Sequence, residues 1–254
     1  MKPPFVIHAF RREGFTNAEE YAPYVLSSRI GFLFVLEGEI LTEVEGKHFL
    51  CGPGQFLLVP ENKIITVKHF KDSLGYDGSF TLSFLKDASF PVLHAGTPTH
   101  QTFWFDDGVF MGALMKRMTE AAKIADYVFL QNALSLILCQ LKPKSSASAL
   151  PESFLQKVFD RNSPIQSVSD YALQLGVTAN YLNKSVKAHT HRTAIEWIEI
   201  SRLNLAKQLL KDRHRPIQEI AMATGLEDQS YFSRFFKKKT GLSPSEFRNQ
   251  KENL

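Results

Sequence analysis

Two stretches in the C-terminal part of this chain carry side chains that could read a polyanion through hydrogen bonds. In "GLEDQSYFSRFFKKKTGLSPSEFR", residues 225 to 248, Gln229, Ser230 and Ser233 supply amide and hydroxyl groups, and Arg234 and Lys237 supply cations. An earlier stretch offers Thr178, Asn180, Asn183, Lys184 and Lys187 in a similar order. Such a set suits the edges of base pairs: Asn or Gln pairs with adenine, Arg or Lys with guanine, and further cations hold phosphates. On one isolated amphipathic helix the same residues would be only a solvated face. The argument for recognition is that the arrangement occurs twice.

The duplication extends to the elements that must hold these residues. "SVSDYALQLGVTANYLNKSVKAHTHRT" and "PIQEIAMATGLEDQSYFSRFFKKKTGLS" are related, as units of a repeat are. At an offset of 49, Val168, Ala172, Gly176 and Val177 match Ile217, Ala221, Gly225 and Leu226. At an offset of 50, Tyr181, Leu182, Lys184, Val186, Lys187 and Thr190 match Tyr231, Phe232, Arg234, Phe236, Lys237 and Thr240. Each unit reads as a helix, a turn and a second helix. Ala172 and Ala221 suit a close helix crossing, and Gly176 and Gly225 suit a left-handed residue ending the first helix. Val177 and Leu226 would plug the turn. Leu182 with Val186, and Phe232 with Phe236, recur at i and i+4 and face inward, so their polar neighbours face out. Between the units "TAIEWIEISRLNLAKQLL", residues 193 to 210, reads as one connecting helix. Its roughly 18 residues span about 27 Å, less than the roughly 34 Å between successive major grooves on one face of straight DNA. Either the duplex bends or one reader seats less fully.

Composition separates this basic half from the rest. The chain has 254 residues, 44% of them hydrophobic, and a net charge of +4. Residues 1 to 150 hold 14 Lys+Arg against 15 Asp+Glu, a balance of −1; residues 151 to 254 hold 16 against 11, a balance of +5. Phenylalanine is skewed the other way, with 15 of 21 before residue 151, as in a β-rich core. Two domains with different tasks are implied. Charges interrupt every apolar run before the roughly 18 residues that span a bilayer, and "MKPPFVIHAFRREGF" lacks a signal-peptide core; a cytoplasmic protein with no membrane partner is expected. Cys51 and Cys139 fit no disulfide or CxxC pattern and read as reduced, core-type thiols. His189 and His191 have no further ligands at metal spacing, so neither metal nor cofactor is expected.

From Arg29 to Phe70, runs of Val, Ile, Leu and Phe are broken by Gly38, Gly46, "CGPG" and "PEN", which predicts short strands and turns. "FTLSFL", residues 80 to 85, continues the alternation. Strands at this spacing predict an antiparallel barrel or sandwich. Residues 107 to 141 change to helical spacing and predict a hairpin of two helices, Asp126 capping the second. Val128, Leu130, Leu134, Ile137, Leu138 and Leu141 make that helix apolar over much of its surface; the stripe covers the barrel or packs against a second subunit. "KPKSSASALP" reads as a linker. The expected organisation is α+β in two domains: residues 1–141 as an antiparallel β-barrel with a helical hairpin, 142–151 as linker, and 152–254 as an all-α domain with two helix-turn-helix units joined by a long helix.

"PIQEIAMATGLEDQSYFSRFFKKKTGLSPSEFR" resembles the signature of the AraC/XylS family of bacterial transcription regulators, through Gly225, Tyr231, Phe232, Arg234, Phe236, Lys237, Gly241, Pro244, Phe247 and Arg248. The resemblance covers roughly residues 152 to 249 and, more loosely, the N-terminal part, where the family places a cupin-like effector and dimerisation domain. It implies a sequence-specific regulator that binds double-stranded promoter DNA through two recognition helices in successive major grooves. A homodimer through the N-terminal domain is implied, and RNA polymerase and a small-molecule effector such as a sugar are the further partners it admits. In the first unit Lys184 stands where the family has arginine, Val186 where it has phenylalanine, and His191 where it has glycine. Lysine cannot make arginine's planar two-pronged contact, so Arg234 should discriminate bases more strongly, although the family often reads mainly with its first unit. His191 would have to adopt positive φ.

Two other readings of the first domain stand beside effector binding. In one the barrel only dimerises. In the other it is a cupin enzyme, but an open metal site needs clustered histidines with a carboxylate, and residues 29 to 70 supply only His48 and His69, with no HxH; no catalytic residue is expected. Phe32, Phe34, Phe49 and Phe56 read as plain core more readily than as a pocket. Arg29, His48 and Trp104 are polar candidates with no ligand contact assigned.

Overall fold

The computed structural model describes residues 3–17, 23–85, 90–93, 101–105, 107–143, 149–160 and 163–250. The chain separates into two compact units, Met1–Ser146 and Ala147–Leu254.

The first unit is one antiparallel sheet with a helical hairpin. The strands are β1 (Phe5–Asn17), β2 (Tyr24–Val25), β3 (Ile30–Val44), β4 (Lys47–Cys51), β5 (Gln55–Val59), β6 (Ile64–Phe80), β7 (Gln101–Trp104) and β8 (Lys142–Pro143). Their order is β1-β6-β3-β5-β7-β8, with β2 on β6 and β4 on β3. Glu45 and Gly46 join β3 to β4 with φ of 50° and 77°, the double positive φ of a tight hairpin turn. The β3–β6 register shifts between Val35 and Glu37 and again before Glu39. Gly38 sits in that bulge because a Cβ there would lie 2.2 Å from the Lys71 carbonyl oxygen.

A bulge bends its strand and changes which residues share a face. Before it, Ile30, Phe32 and Phe34 join Phe5, Phe56, Tyr76 and Phe80 in a core with the hairpin; after it, Ile40 and Val44 join Val35, Leu57, Val59 and Phe70 on the other side. The phenylalanine excess therefore lies mainly under helices. These are α1 (Gly108–Lys123) and α2 (Tyr127–Gln140), capped by Asp107 and Asp126 side chains that accept from Phe110 N–H and Phe129 N–H. On the opposite side β1, β2, β3, β5 and β6 line a cavity of about 320 Å³.

Several expectations change. Residues 80–85 do not continue as a strand: β6 ends at Phe80 and Leu82–Phe84 form a 3-10 turn. The Thr81 N–H donates to the Pro4 carbonyl at 3.0 Å, and Phe84 packs on Phe5 and Tyr127. The apparent alternation is a turn that buries one ring. Leu130, Leu134, Ile137, Leu138 and Leu141 are buried within the first unit, leaving Val128 as the exposed member of the stripe. Lys142 and Pro143, expected in the linker, pair with Trp104 and Phe103, and α3 (Ala149–Val158) already includes Pro151. Cys51 is buried but Cys139 is exposed on α2, so only one of the two is a core thiol. Of the four phenylalanines only Phe32 reaches the cavity. Arg29 is buried, donating to the Ser79 hydroxyl and to the Ser79 and Pro3 carbonyls, while His48 Nε2 lies 3.4 Å from Glu43 Oε2. Neither faces the cavity, and the Trp104 side chain lies outside the described residues.

The second unit is helical: α3, α4 (Val168–Gln174), α5 (Ala179–Thr190), α6 (Ala194–Leu209), α7 (Ile217–Ala223), α8 (Gln229–Thr240) and α9 (Pro244–Gln250). The connector α6 has 16 residues, about 24 Å, because Thr193 is its N-cap and Leu210 its C-cap. One end packs on the C-terminus of α3 and on α5: Trp197 meets Phe159 at 6.1 Å and donates to the Thr190 hydroxyl at 2.9 Å, and the Ser201 hydroxyl donates to the Val158 carbonyl. The other end supplies Leu203, Ala206 and Leu210 to a core with Ile220, Ala221, Phe232 and Phe236. Arg202 Nε donates to the Thr224 carbonyl at 3.1 Å, and Lys239 pairs with Glu199 at 2.7 Å. These bonds tie the second pair to the connector. Among the described residues no helix is long and apolar enough to cross a membrane.

Candidate nucleic-acid interface

Each unit is built by the same backbone bonds. In α4–α5 the Val177 N–H donates to the Ala172 carbonyl at 3.0 Å, and in α7–α8 the Leu226 N–H donates to the Ala221 carbonyl at 3.0 Å. Gly176 and Gly225 sit between with φ of 69° and 74°, the left-handed conformation that ends a helix and turns the chain. Gly225 is also enforced by space, since a Cβ would lie 2.4 Å from the Ile165 carbonyl oxygen. Ala172 and Ala221 are buried at the crossings. Below each reader Leu182 and Val186, or Phe232 and Phe236, are fully buried.

The second helices begin and end alike. Thr178 and Asp228 are N-caps, their side chains accepting from Tyr181 N–H and Tyr231 N–H. At the far ends His191 and Gly241 are left-handed, with φ of 58° and 82°. Thr190 and Thr240 hydroxyls donate back to Val186 and Phe236 carbonyls, both at 2.8 Å. The next helix starts with a further repeat: Thr193 and Glu196 box the N-terminus of α6, and Ser243 and Glu246 exchange the matching bonds at α9. A side chain that caps a helix satisfies otherwise orphaned N–H groups. Hydrogen bonding to the ionised form holds both the Glu196 and Glu246 carboxyls below the usual range.

Asn180, Lys184 and Lys187 on α5, and Gln229, Ser230, Arg234 and Lys237 on α8, are exposed; Ser233 is half-buried. Two of the sequence candidates have structural duties. Thr178 holds the start of α5. Asn183 Oδ1 accepts from the Ala194 N–H at 2.9 Å, tying α5 to α6, so its amide oxygen is committed inside the protein. Gly241 and Pro244 terminate α8 and open α9. The sequence reading also missed a pair. Tyr181 entered it as a matched repeat position and Tyr231 as that and a signature residue, neither as a contact, yet they are 59% and 54% exposed, one turn before Lys184 and Arg234. The signal was their i−3 spacing from the outward cations.

Each second helix thus presents a convex strip of polar, aromatic and cationic side chains with its backbone anchored at both ends. A helix-turn-helix domain family matches residues 171–250. The regulatory protein SoxS of Salmonella typhimurium is 37% identical over 79 residues, 31% of this chain and 74% of SoxS. The chain belongs to the AraC/XylS family. The AraC/XylS match is not confined to the helices: the arabinose operon regulatory protein of Escherichia coli is 24% identical over 234 residues, 84% of this chain and 78% of that protein. Among solved structures, the C-terminal domain of AraT, a response regulator from Geobacillus stearothermophilus, is similar at 30% identity and a TM-score of 0.39, covering 42% of this chain and 88% of that one. This AraC/XylS chain is a DNA-binding transcription regulator.

Proposed function

We propose that residues 152–254 read two successive major grooves of a promoter, with α5 and α8 as the inserted helices. On α5, Asn180 faces bases and Lys184 and Lys187 face phosphates, Thr178 and Asn183 serving to position the helix. On α8, Gln229, Ser230, Ser233 and Arg234 face bases and Lys237 a phosphate. Tyr181 and Tyr231 add apolar contact beside Lys184 and Arg234, where a thymine methyl or a sugar would lie. The observation that carries this reading is the duplicated, capped helix with an exposed polar strip. Fluorescence anisotropy of the full chain on its own promoter region, against scrambled duplex, tests it. The expected result is salt-sensitive binding with preference for the promoter; equal affinity for both duplexes refutes the reading.

The first unit, Met1–Ser146, then serves as the regulatory domain in a cytoplasmic homodimer, joined to the readers through the chain that leads into α3. The cavity of about 320 Å³ supports a small-molecule effector, since it lies within the size range of ligand sites. Exposed Val109, Ile124, Val128 and Leu136 on the hairpin support dimerisation through the same unit, and would do so even if the cavity were never filled. RNA polymerase is the further partner an activator would engage. Reporter assays with and without candidate metabolites separate an effector from a purely structural barrel.

A further inference from the structure

We propose that the cavity of the first unit takes a small, mainly apolar molecule with one neutral hydrogen-bonding head, and not a sugar; this rests on the effector reading above. The walls decide the body of the ligand. Leu26, Leu33, Ile40, Leu57, Val59 and Phe70 are among the side chains that line it. Two of the three wall hydroxyls are already engaged: Thr42 donates to the Phe49 carbonyl at 3.3 Å, and Ser79 accepts from Arg29 Nε at 2.8 Å, while the third, on Tyr24, belongs to a residue 52% exposed. A polyol placed there would surrender water at several hydroxyls and regain few partners. A dry apolar cavity of about 150 Å³ holds a benzene ring, so about 320 Å³ matches a body of two rings or an equivalent hydrocarbon.

Polar groups gather on one side. His8 and Asp77 face each other across β1 and β6, with Nδ1 3.7 Å from Oδ2, and both are more than half exposed. Arg12 lies one i+4 step along β1 from His8, lines the same cavity, and acts electrostatically on Asp77. The rim therefore offers an acceptor beside donors. A hydroxyl can donate to Asp77 and accept from His8 or Arg12. A carboxylate would set a second anion beside the exposed Asp77 carboxylate, and like charges that close disfavour each other. The mixed rim selects a phenol, an alcohol or an amide.

The test uses the purified full chain and three probes: 4-phenylphenol, biphenyl-4-carboxylate and L-arabinose. Calorimetric titration should give saturable binding of 4-phenylphenol, with the carboxylate at least about tenfold weaker. Asp77→Asn should narrow that gap. Val67→Trp, placing an indole in the cavity, should abolish binding, and the milder Ile65→Phe should weaken it, both with unchanged far-UV circular dichroism. Saturable binding of L-arabinose without 4-phenylphenol overturns the ligand class and leaves the effector reading standing. Binding of 4-phenylphenol that Ile65→Phe leaves unaltered overturns the site. Failure of all three probes also overturns the class, and a promoter reporter then judges the broader reading: if Ile65→Phe leaves regulation in cells unchanged, the effector reading falls with it.

Discussion

The two helix-turn-helix units share one backbone plan and fill it with different side chains. At matched positions the first has Val186, His191 and Trp197 where the second has Phe236, Gly241 and Phe247. Volume lost under the first reader, valine for phenylalanine, is offset one helix later, tryptophan for phenylalanine. Trp197 is fully buried, its indole N–H donating to the Thr190 hydroxyl at 2.9 Å and the Arg192 guanidinium lying 5.6 Å from the ring centre. Phe247 is half-buried, under Lys207 and edge-on to Phe236 at 5.4 Å. The backbone bonds and caps persist while the core is recomposed, as cores tolerate when total volume and pattern are kept.

The largest asymmetry should appear on truncating these two rings. Trp197→Ala removes a wholly buried aromatic and should cost about 3–5 kcal/mol, with the Thr190 hydroxyl and Arg192 left to repack. Phe247→Ala should cost less, since part of its ring already meets water. Urea unfolding followed by far-UV circular dichroism compares them; equal costs would mean that α9 supports its reader as firmly as α6 does.

The readers themselves should separate next. Arg234→Ala should weaken the preferred site by about 1–3 kcal/mol and relax selectivity at one base position. Lys184→Ala should weaken binding evenly across sequences and reduce the salt slope by about 1. Anisotropy titrations on a set of single-base operator variants, at several salt concentrations, give both quantities. Loss of base selectivity in Lys184→Ala would reverse the ranking of the two units.

The helix ends give a smaller contrast of opposite sign. Both terminal residues are left-handed, but only one is glycine. Gly241→Ala should destabilise and His191→Gly stabilise, each by about 1 kcal/mol, because a Cβ in that conformation crowds the following carbonyl. Open space surrounds Gly241, so any cost there is conformational. Thermal unfolding of the two variants measures the pair of shifts.

What the sequence disclosed follows from where information was duplicated. The second unit was legible because glycine, alanine and paired apolar positions recur at a fixed offset, and even the strained φ of His191 could be read against Gly241. The structural bonds of Asn183 and Thr178 were not legible because periodicity assigns a direction, not a partner: the outward arc also reaches helix N–H groups that need an acceptor. In the first unit β1 went unread, since "FVIHAFRREGF" was weighed only as a targeting segment, and its pairing with β6 is long-range. The cavity had no local signature. It is lined from five strands whose facing depends on a bulge at Gly38, and the bulge reverses parity midway along β3.

The smallest difference concerns acid. The first helix-turn-helix starts α4 with a reciprocal Ser167–Asp170 box and, like the second, is followed by a box, here Thr193–Glu196 at α6. The second starts α7 at Pro216 with no side-chain cap, where Arg215 pairs with Glu219 at 3.7 Å. Hydrogen bonds from Ser167 lower the Asp170 pKa, as those from Thr193 lower that of Glu196. A depressed pKa in the folded state means stabilisation that is complete above the unfolded pKa and lost as pH falls through the folded one. The window therefore lies at and below the ordinary carboxylate range, with nothing changing near neutrality. Amide hydrogen exchange at pH 6 and pH 3 should show first-turn protection falling in α4, while α7 keeps its relative protection. Asp170→Asn should remove most of α4's pH response. If α4 and α7 lose protection in parallel, the acid response belongs to the whole helical unit and the capping asymmetry has no separate consequence.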